Sequence, residues 1–98
     1  MADDIELRRR RAAYRASHRG TKEMDLILGR FANARLGTMS AGELASFERM
    51  IALPDPVLAG YFSQADTPAE PEFATLMEAL RRFHGLEEVL GGTPEKTE

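Results

Sequence analysis

Four arginines recur near the start of the chain at spacings that suit one face of an α-helix. Arg8, Arg11, Arg15 and Arg19 are separated by three, four and four residues, so a helix places them in one stripe. The planar guanidinium binds a carboxylate or a phosphate through paired hydrogen bonds, so such a stripe can dock an acidic partner or an anion. The alternative is a solvated face whose arginines pair with acidic residues of neighbouring helices.

The last of these arginines opens a short segment in which the helical pattern is interrupted. Gly20 follows Arg19, and Glu23 lies three positions further on. A glycine in a turn permits a positive φ and the close approach of another backbone or a ligand. Arg19 and Glu23 either point at a partner from the two sides of this turn or pair with each other and fix the corner. His18, beside the break, is a further candidate contact, with a capping or surface role as the alternative.

The residue types that carry enzymatic chemistry are nearly absent. The 98 residues include no Cys and two His, which argues against disulfides, thiolate metal sites and the usual zinc sites. The chain also has no nucleophile motif and no Gly-rich phosphate loop. We therefore expect no enzymatic activity and no metal site.

Charge is distributed unevenly along the chain. Residues 1–35 hold nine Lys and Arg against five Asp and Glu, whereas residues 36–98 hold four against eleven. This asymmetry indicates a basic patch that faces a partner, or charge pairing inside the fold. A small regulator that binds nucleic acid or an acidic protein through the Arg-rich first helix is the competing interpretation. The formal net charge of −3 argues against nucleic acid as the partner.

Helical periodicity runs through the chain, and we predict an all-α fold, a compact five-helix bundle in a single domain. The first two helices are expected over about 4–18 and 21–36, and the last over about 72–83. The domain is expected to cover residues 1–85, because Gly85 suits a helix stop, and residues 86–98 are expected to form a disordered tail.

Capping signals mark the third and fourth helices. Ser40 and Glu43 form a capping box before the third helix. Asp55 as N-cap with Pro56 at the first helical position is expected to start the fourth, short helix. Gly37 is expected to end the second helix in a left-handed conformation.

Several large apolar residues have the spacing of core positions. Met24, Met50 and Met77 are expected to fill the core rather than to bind a ligand. Tyr61 and Phe62 in the short fourth helix either form an exposed aromatic anchor for a partner or close the core.

Two segments carry a family resemblance. "RRRRAAYRASHRGTKEMDLILGRFA" resembles the N-terminal signature of the succinate dehydrogenase assembly factor family, the small flavinator proteins of bacteria and mitochondria. Its hallmark Arg-Gly-x-x-Glu is met by Arg19, Gly20 and Glu23, and Asp25 also matches. "FERMIALPDPVLAGYF" is similar to the second family element, although Val57 and Tyr61 replace a frequent acidic residue and a frequent Trp. The resemblance covers about residues 8–83.

The resemblance implies a chaperone-like assembly factor without activity of its own. It implies binding to the flavoprotein subunit of succinate dehydrogenase, or of fumarate reductase, and promotion of covalent FAD attachment to that subunit. FAD is then handled on the partner, and the chain itself holds no cofactor stably, since it lacks a Gly-rich phosphate loop or a Rossmann unit. Direct FAD binding, proposed for family proteins, is the alternative. The residues expected to contact the partner are Arg8, Arg11, Arg15, His18, Arg19, Gly20, Glu23, Asp25 and Tyr61.

The sequence also leads to expectations about the cellular location and the oligomeric state of the protein. No stretch approaches 18 consecutive apolar residues, so no membrane insertion is expected. The first residues are acidic and are not followed by an apolar segment, which is unlike a secretory signal. We expect a cytoplasmic monomer that binds no nucleic acid.

Overall fold

Five α-helices make up most of the protein. The structure, a computed structural model, describes residues 2–90 and the side chains of residues 4–85. Within residues 2–90 there is no β-strand, so the predicted all-α five-helix bundle is confirmed. A 3₁₀ turn, Leu36–Thr38, connects the second and third helices. The helices are α1 (Ala2–Ser17), α2 (Lys22–Arg35), α3 (Ala41–Ile51), α4 (Asp55–Ser63) and α5 (Pro71–Leu90).

The helices pack in layers, with α2 and α3 in the middle. Helix α1 lies against α2 and α3 on one side, and α5 lies against the same two helices on the other. Helix α4 packs on α5. Because α1 and α5 are separated by this middle layer, the bundle has two outer sides that can serve different purposes.

The core consists of large apolar side chains from α2, α3, α4 and α5. Met24, Met50 and Met77 are all buried, which confirms their prediction as core residues. Burial of such side chains contributes on the order of 2 kcal/mol each, and this burial holds the short α4 in place. The largest fully buried side chains are Leu28, Leu44, Phe47, Met50, Leu58, Met77 and Leu80.

The first two helices cross closely because both contribute small residues. Ala12 and Ala16 of α1 are 1% and 0% exposed. A Cβ atom at Gly29 of α2 would lie 2.8 Å from Ser17 Oγ, closer than real Cβ atoms come, and 3.2 Å from Ser17 Cα, a tight contact. Gly29 is therefore required for the contact between α1 and α2, a role that the sequence analysis did not assign.

Helix ends agree with the sequence in one case and differ in three. Ser40 and Glu43 form the predicted capping box at the start of α3. Gly37 lies in the 3₁₀ turn instead of adopting a left-handed conformation, so that prediction was wrong. The N-cap of α4 is Pro54, not Asp55, whose carboxylate is bound elsewhere.

Helix α5 continues through Gly85 to Leu90, because one helical glycine costs only about 1 kcal/mol. Of the predicted tail, residues 91–98 lie outside the described residues.

Candidate functional site

Helix α1 ends two residues before Arg19, and the chain then turns into α2. Thr21 is the N-cap of α2, and its Oγ1 accepts a hydrogen bond of 3.2 Å from Met24 N–H. The N-terminus of α2 therefore has its own capping residue. Between the two helices lie Arg19 and Gly20, and the Arg19 side chain and Gly20 N–H make contacts beyond α1 and α2.

Arg19 points into the protein and binds the end of α3. Its Nη1 donates to Ile51 O at 2.6 Å, and its Nη2 donates to Leu53 O at 2.9 Å. Ile51 is the last residue of α3, and carbonyls at a helix C-terminus have no intrahelical partner and carry partial negative charge. Arg19 thus caps α3, and its side chain is only 12% exposed.

Asp55 completes this arrangement from the first turn of α4. Its Oδ1 accepts from Arg19 Nε at 2.8 Å, and its Oδ2 accepts from Gly20 N–H at 2.9 Å. A Cβ atom at Gly20 would lie 3.3 Å from Asp55 Oδ2, a tight contact. Gly20 does not adopt a positive φ, so the glycine serves the close approach of Asp55 and not an unusual backbone conformation.

The charge of Asp55 is stabilised where it lies. Burial on its own raises the pKa of the Asp55 carboxyl, but the hydrogen bond from Gly20 N–H and the hydrogen bond and charge of Arg19 outweigh it. The pKa of Asp55 therefore lies below its ordinary value. On the other side of the turn, Asp25 Oδ1 accepts a hydrogen bond from Arg19 N–H. We call Arg19, Gly20, Asp25 and Asp55 the α1–α2 junction.

Glu23 does not take part in the junction. The structure does not pair Arg19 with Glu23, because Arg19 is bound to Asp55 and to two carbonyls. Glu23 is exposed in the first turn of α2, and among the described residues its side chain has no hydrogen bond or ion pair. In the predicted Arg-Gly-x-x-Glu motif, Arg19 and Gly20 therefore make contacts within the protein, whereas Glu23 is exposed to solvent.

The arginine stripe is likewise divided. Arg8 Nη2 lies 2.8 Å from Glu48 Oε1, and this hydrogen bond raises the pKa of Arg8. Of the two interpretations of the arginine stripe, pairing with acidic residues of neighbouring helices is thus correct for Arg8 and Arg19. Arg11 and Arg15 are exposed, and neither has an ion pair among the described residues.

An exposed aromatic pair lies on the same side as the two exposed arginines. The rings of Tyr14 and His18 are stacked, with centroids 3.9 Å apart and planes inclined by 18°. His18 Nδ1 lies 2.8 Å from Tyr14 O, so it donates to this carbonyl. Tyr14 is 64% exposed and Leu7, nearer the N-terminus of α1, is 43% exposed. Leu7 and Tyr14 were not among the predicted contact residues, although their spacing from Arg11 and His18 places all four on one face of a helix.

These residues define a surface that we call the outer face of α1. It combines exposed cations, a stacked aromatic pair and one aliphatic side chain. A depression of about 230 Å³, lined in part by Tyr14, Arg15, Arg19 and Ile51, connects this face to the junction. The outer face of α1 consists of Leu7, Arg10, Arg11, Tyr14, Arg15 and His18.

The structure does not bring Tyr61 to this surface. Tyr61 is half-buried in α4 and packs against the core, and its carbonyl accepts from Arg81 Nη1 at 2.9 Å. Phe62 also packs against the core. Both residues therefore contribute to core closure, the alternative that the sequence had left open, and Arg81 connects α5 to the C-terminal end of α4.

The described residues contain neither a membrane-spanning helix nor a cluster of metal-ligating side chains. No helix among them is long and apolar enough to cross a membrane. No three or more His, Cys, Asp or Glu side chains within residues that the structure describes are grouped so that they could hold a metal ion.

An all-α bundle with a tightly bonded inner junction and a cationic, aromatic outer face defines a small helical protein with a docking surface. Comparison with known proteins identifies the class further. A family model described as "Flavinator of succinate dehydrogenase" matches residues 10–84, and the chain belongs to this family. The match includes both the junction and most of the outer face of α1.

Curated relatives carry consistent names. The chain is 42% identical over 69 residues to the "FAD assembly factor SdhE" of Acetobacter pasteurianus, which covers 69% of this chain and 63% of that protein. It is 31% identical to the protein of the same name from Acinetobacter baylyi, over 87% of this chain and 100% of that protein. It is 30% identical to the "Succinate dehydrogenase assembly factor 2, mitochondrial" of Dictyostelium discoideum, over 92% of this chain and 63% of that protein. No solved structure gives a significant match.

Proposed function

We propose that this protein is an assembly factor that binds the flavoprotein subunit of succinate dehydrogenase and promotes covalent attachment of FAD to it. The observation that carries the proposal is the family match over residues 10–84, together with relatives named as FAD assembly factors. The same proposal extends to the flavoprotein subunit of fumarate reductase as a second acceptor. It places the protein in the cytoplasm as a monomer.

The outer face of α1 supports this role as the principal contact with the partner. Arg11 and Arg15 are exposed and lack ion pairs among the described residues, so binding a carboxylate breaks no existing pair. Tyr14 adds a large rigid apolar surface, a residue type that is enriched at interface hot spots. A partner that presents acidic residues around an apolar patch is complementary to this face.

The junction has a supporting role in the proposal. Its hydrogen bonds join the α1–α2 turn to the end of α3 and the start of α4, so the outer face of α1 is held at a fixed angle to the rest of the bundle. A preorganised docking surface loses less entropy on binding. The factor then acts by holding the partner in an arrangement that favours flavin attachment, with FAD on the partner and no chemistry contributed by this chain.

Co-expression with the flavoprotein subunit tests the proposal. In-gel flavin fluorescence of that subunit measures covalent FAD, which we expect to rise at least tenfold over expression of the subunit alone. The double variant Arg11→Gln/Arg15→Gln should lose most of this increase, because it removes the cations of the outer face.

The matched control makes the same change in net charge at a different surface. Thr67→Glu/Ala69→Glu lies in the exposed loop between α4 and α5 and should behave as the wild type. If the wild-type chain does not increase covalent FAD, the proposed function is wrong. If the arginine variant is fully active, the function stands and the outer face is not the docking surface. A gel-shift assay with DNA and RNA at near-physiological salt tests the nucleic-acid alternative, for which we expect no binding.

A further inference from the structure

A second concave surface lies on the opposite side of the bundle from the outer face of α1. Its volume is about 580 Å³, and it is lined by residues of α2, the 3₁₀ turn, α3 and α5, with none from α1. The apolar part of the lining comes from Phe31, Met39, Leu76, Ala79 and Phe83. A volume of this size is typical of ligand-binding pockets. We call it the α5 pocket.

The acidic residues that line the α5 pocket are already engaged. Glu43 Oε1 accepts a hydrogen bond of 2.9 Å from Ser40 N–H in the capping box of α3. Glu72 forms an ion pair with Arg49 and accepts a hydrogen bond from Ser46 Oγ at 3.4 Å. Both carboxylates therefore have donors within the protein.

The cationic residues of the pocket are different. Arg35 and Arg82 both line it, and neither forms an ion pair with a carboxylate among the described residues. The guanidinium carbon of Arg35 lies 5.3 Å from the centroid of the Phe83 ring, so the cation is held over the apolar lining. The pocket thus combines an apolar surface with two positive charges that have no carboxylate partner there, which suits an occupant that is both apolar and anionic.

We propose that the α5 pocket is a second docking site for the flavoprotein partner, and that it receives a large apolar side chain adjacent to a carboxylate. The apolar side chain covers Leu76 and Phe83, which are partly exposed, and the carboxylate is bound by Arg35 and Arg82. This inference rests on the proposed function, because it concerns the same partner.

A tethered protein segment suits this pocket better than a free small anion. Arg82 is exposed, and an ion pair with an exposed cation contributes little on its own, so a free anion gains weak affinity. A segment of a partner that is already bound at the outer face of α1 reaches the pocket at a high effective concentration. Two docking points on opposite sides of one rigid bundle also fix the orientation of the partner, which a single helix face does not.

A pocket-filling substitution tests the inference with the purified flavoprotein subunit. Thr75 is exposed and lines the pocket, so Thr75→Trp occupies it without removing a core side chain. We expect about thirtyfold weaker binding, the effect of losing one interface hot spot. Glu78→Trp places the same side chain at an exposed position of α5 that does not line the pocket, and it should bind as the wild type does.

Photo-crosslinking identifies the occupant. With benzoylphenylalanine at position 75, we expect a crosslink to a flavoprotein peptide that contains an acidic residue next to a large apolar one. A crosslink to a second copy of this chain, or wild-type affinity of Thr75→Trp, overturns the inference. The proposed function still holds in that case if the wild type binds the flavoprotein subunit and Arg11→Gln/Arg15→Gln does not. If the wild type does not bind the flavoprotein at all, both proposals fail together.

Discussion

The α1–α2 junction and the outer face of α1 contain the same residue type and use it in opposite ways. Arg19 is 12% exposed and binds one carboxylate and two backbone carbonyls. Arg15, four residues earlier, is exposed and has no ion pair among the described residues. The comparison teaches that the spacing of arginines predicts which ones share a helix face, whereas the acceptors around each one decide what it does.

The difference arises where the helix ends. Helix α1 stops at Ser17, so Arg19 no longer follows the helical stripe and its side chain reaches the carbonyls at the end of α3. Arg11 and Arg15 remain on the helix, where both side chains are exposed. One helix end thus divides a single arginine pattern into a structural residue and a pair available to a partner.

Arg19→Ala should have the largest effect on stability. It removes three hydrogen bonds and leaves the carboxylate of Asp55 without its cation, so we expect the free energy of unfolding to fall by about 3 kcal/mol. Urea denaturation followed by circular dichroism measures this. Arg19→Lys should restore only part of the loss, because an ammonium group lacks the planar fork that reaches separate acceptors.

The control for this prediction lies on the outer face. Arg15→Ala should change the free energy of unfolding by less than about 0.5 kcal/mol, as is usual for exposed positions. Equal losses for Arg15→Ala and Arg19→Ala would remove the distinction between the two regions.

Asp55→Asn should have an intermediate effect that depends on pH. The substitution keeps the shape but removes the charge that pairs with Arg19, and we expect a loss of about 1–2 kcal/mol at pH 7. Because the pKa of Asp55 is lowered in the folded protein, its stabilising contribution is present above the ordinary value of 3.8 and is lost as the pH falls through the folded pKa.

The measurement is urea denaturation of both proteins at pH 7 and near pH 3. The difference between wild type and Asp55→Asn should shrink at the lower pH, since the stabilising contribution of the wild-type charge decreases as the pH falls below 3.8 towards the folded pKa. A difference that is the same at both pH values would mean that the second acceptor oxygen of Asp55, which Asn lacks and which binds Gly20 N–H, supports the junction rather than the charge of Asp55. No such dependence is expected for the Arg15 variant, because Arg15 has no acidic partner among the described residues.

Local signals in the sequence were enough to predict the helices but not the contacts of the α1–α2 junction. The Ser40 capping box and the core methionines depend on neighbouring residues and on helical period, so both were predictable. Asp55 was assigned to an N-cap by an equally local rule, but its carboxylate binds Arg19, 36 residues away in sequence. Contacts over such separations depend on how helices pack, and no short motif reports them.

The outer face of α1 shows that the exposure of a helical residue is also hard to predict from the sequence. Tyr14 has an ordinary helical position, and its exposure follows only from the way α1 packs on α2 through Ala12 and Ala16. Gly29 similarly has no turn or cap to mark it, and its role became apparent only from its contact with Ser17. Partner-binding roles for residues of this face remain predictions, since the structure contains one chain.

Glu23→Gln should have the smallest effect on stability and decides which region Glu23 belongs to. The side chain is exposed in the first turn of α2, so neutralising it removes only a favourable interaction with the helix dipole of about 0.5 kcal/mol. If Glu23 belongs with the docking surface, affinity for the flavoprotein subunit should fall about tenfold while the melting temperature is nearly unchanged. Lys22→Gln, the neighbouring exposed position, serves as the control and should retain affinity. Unchanged affinity of Glu23→Gln with a clear loss of stability would instead assign Glu23 to the junction, and the whole Arg-Gly-x-x-Glu segment would then be a structural corner.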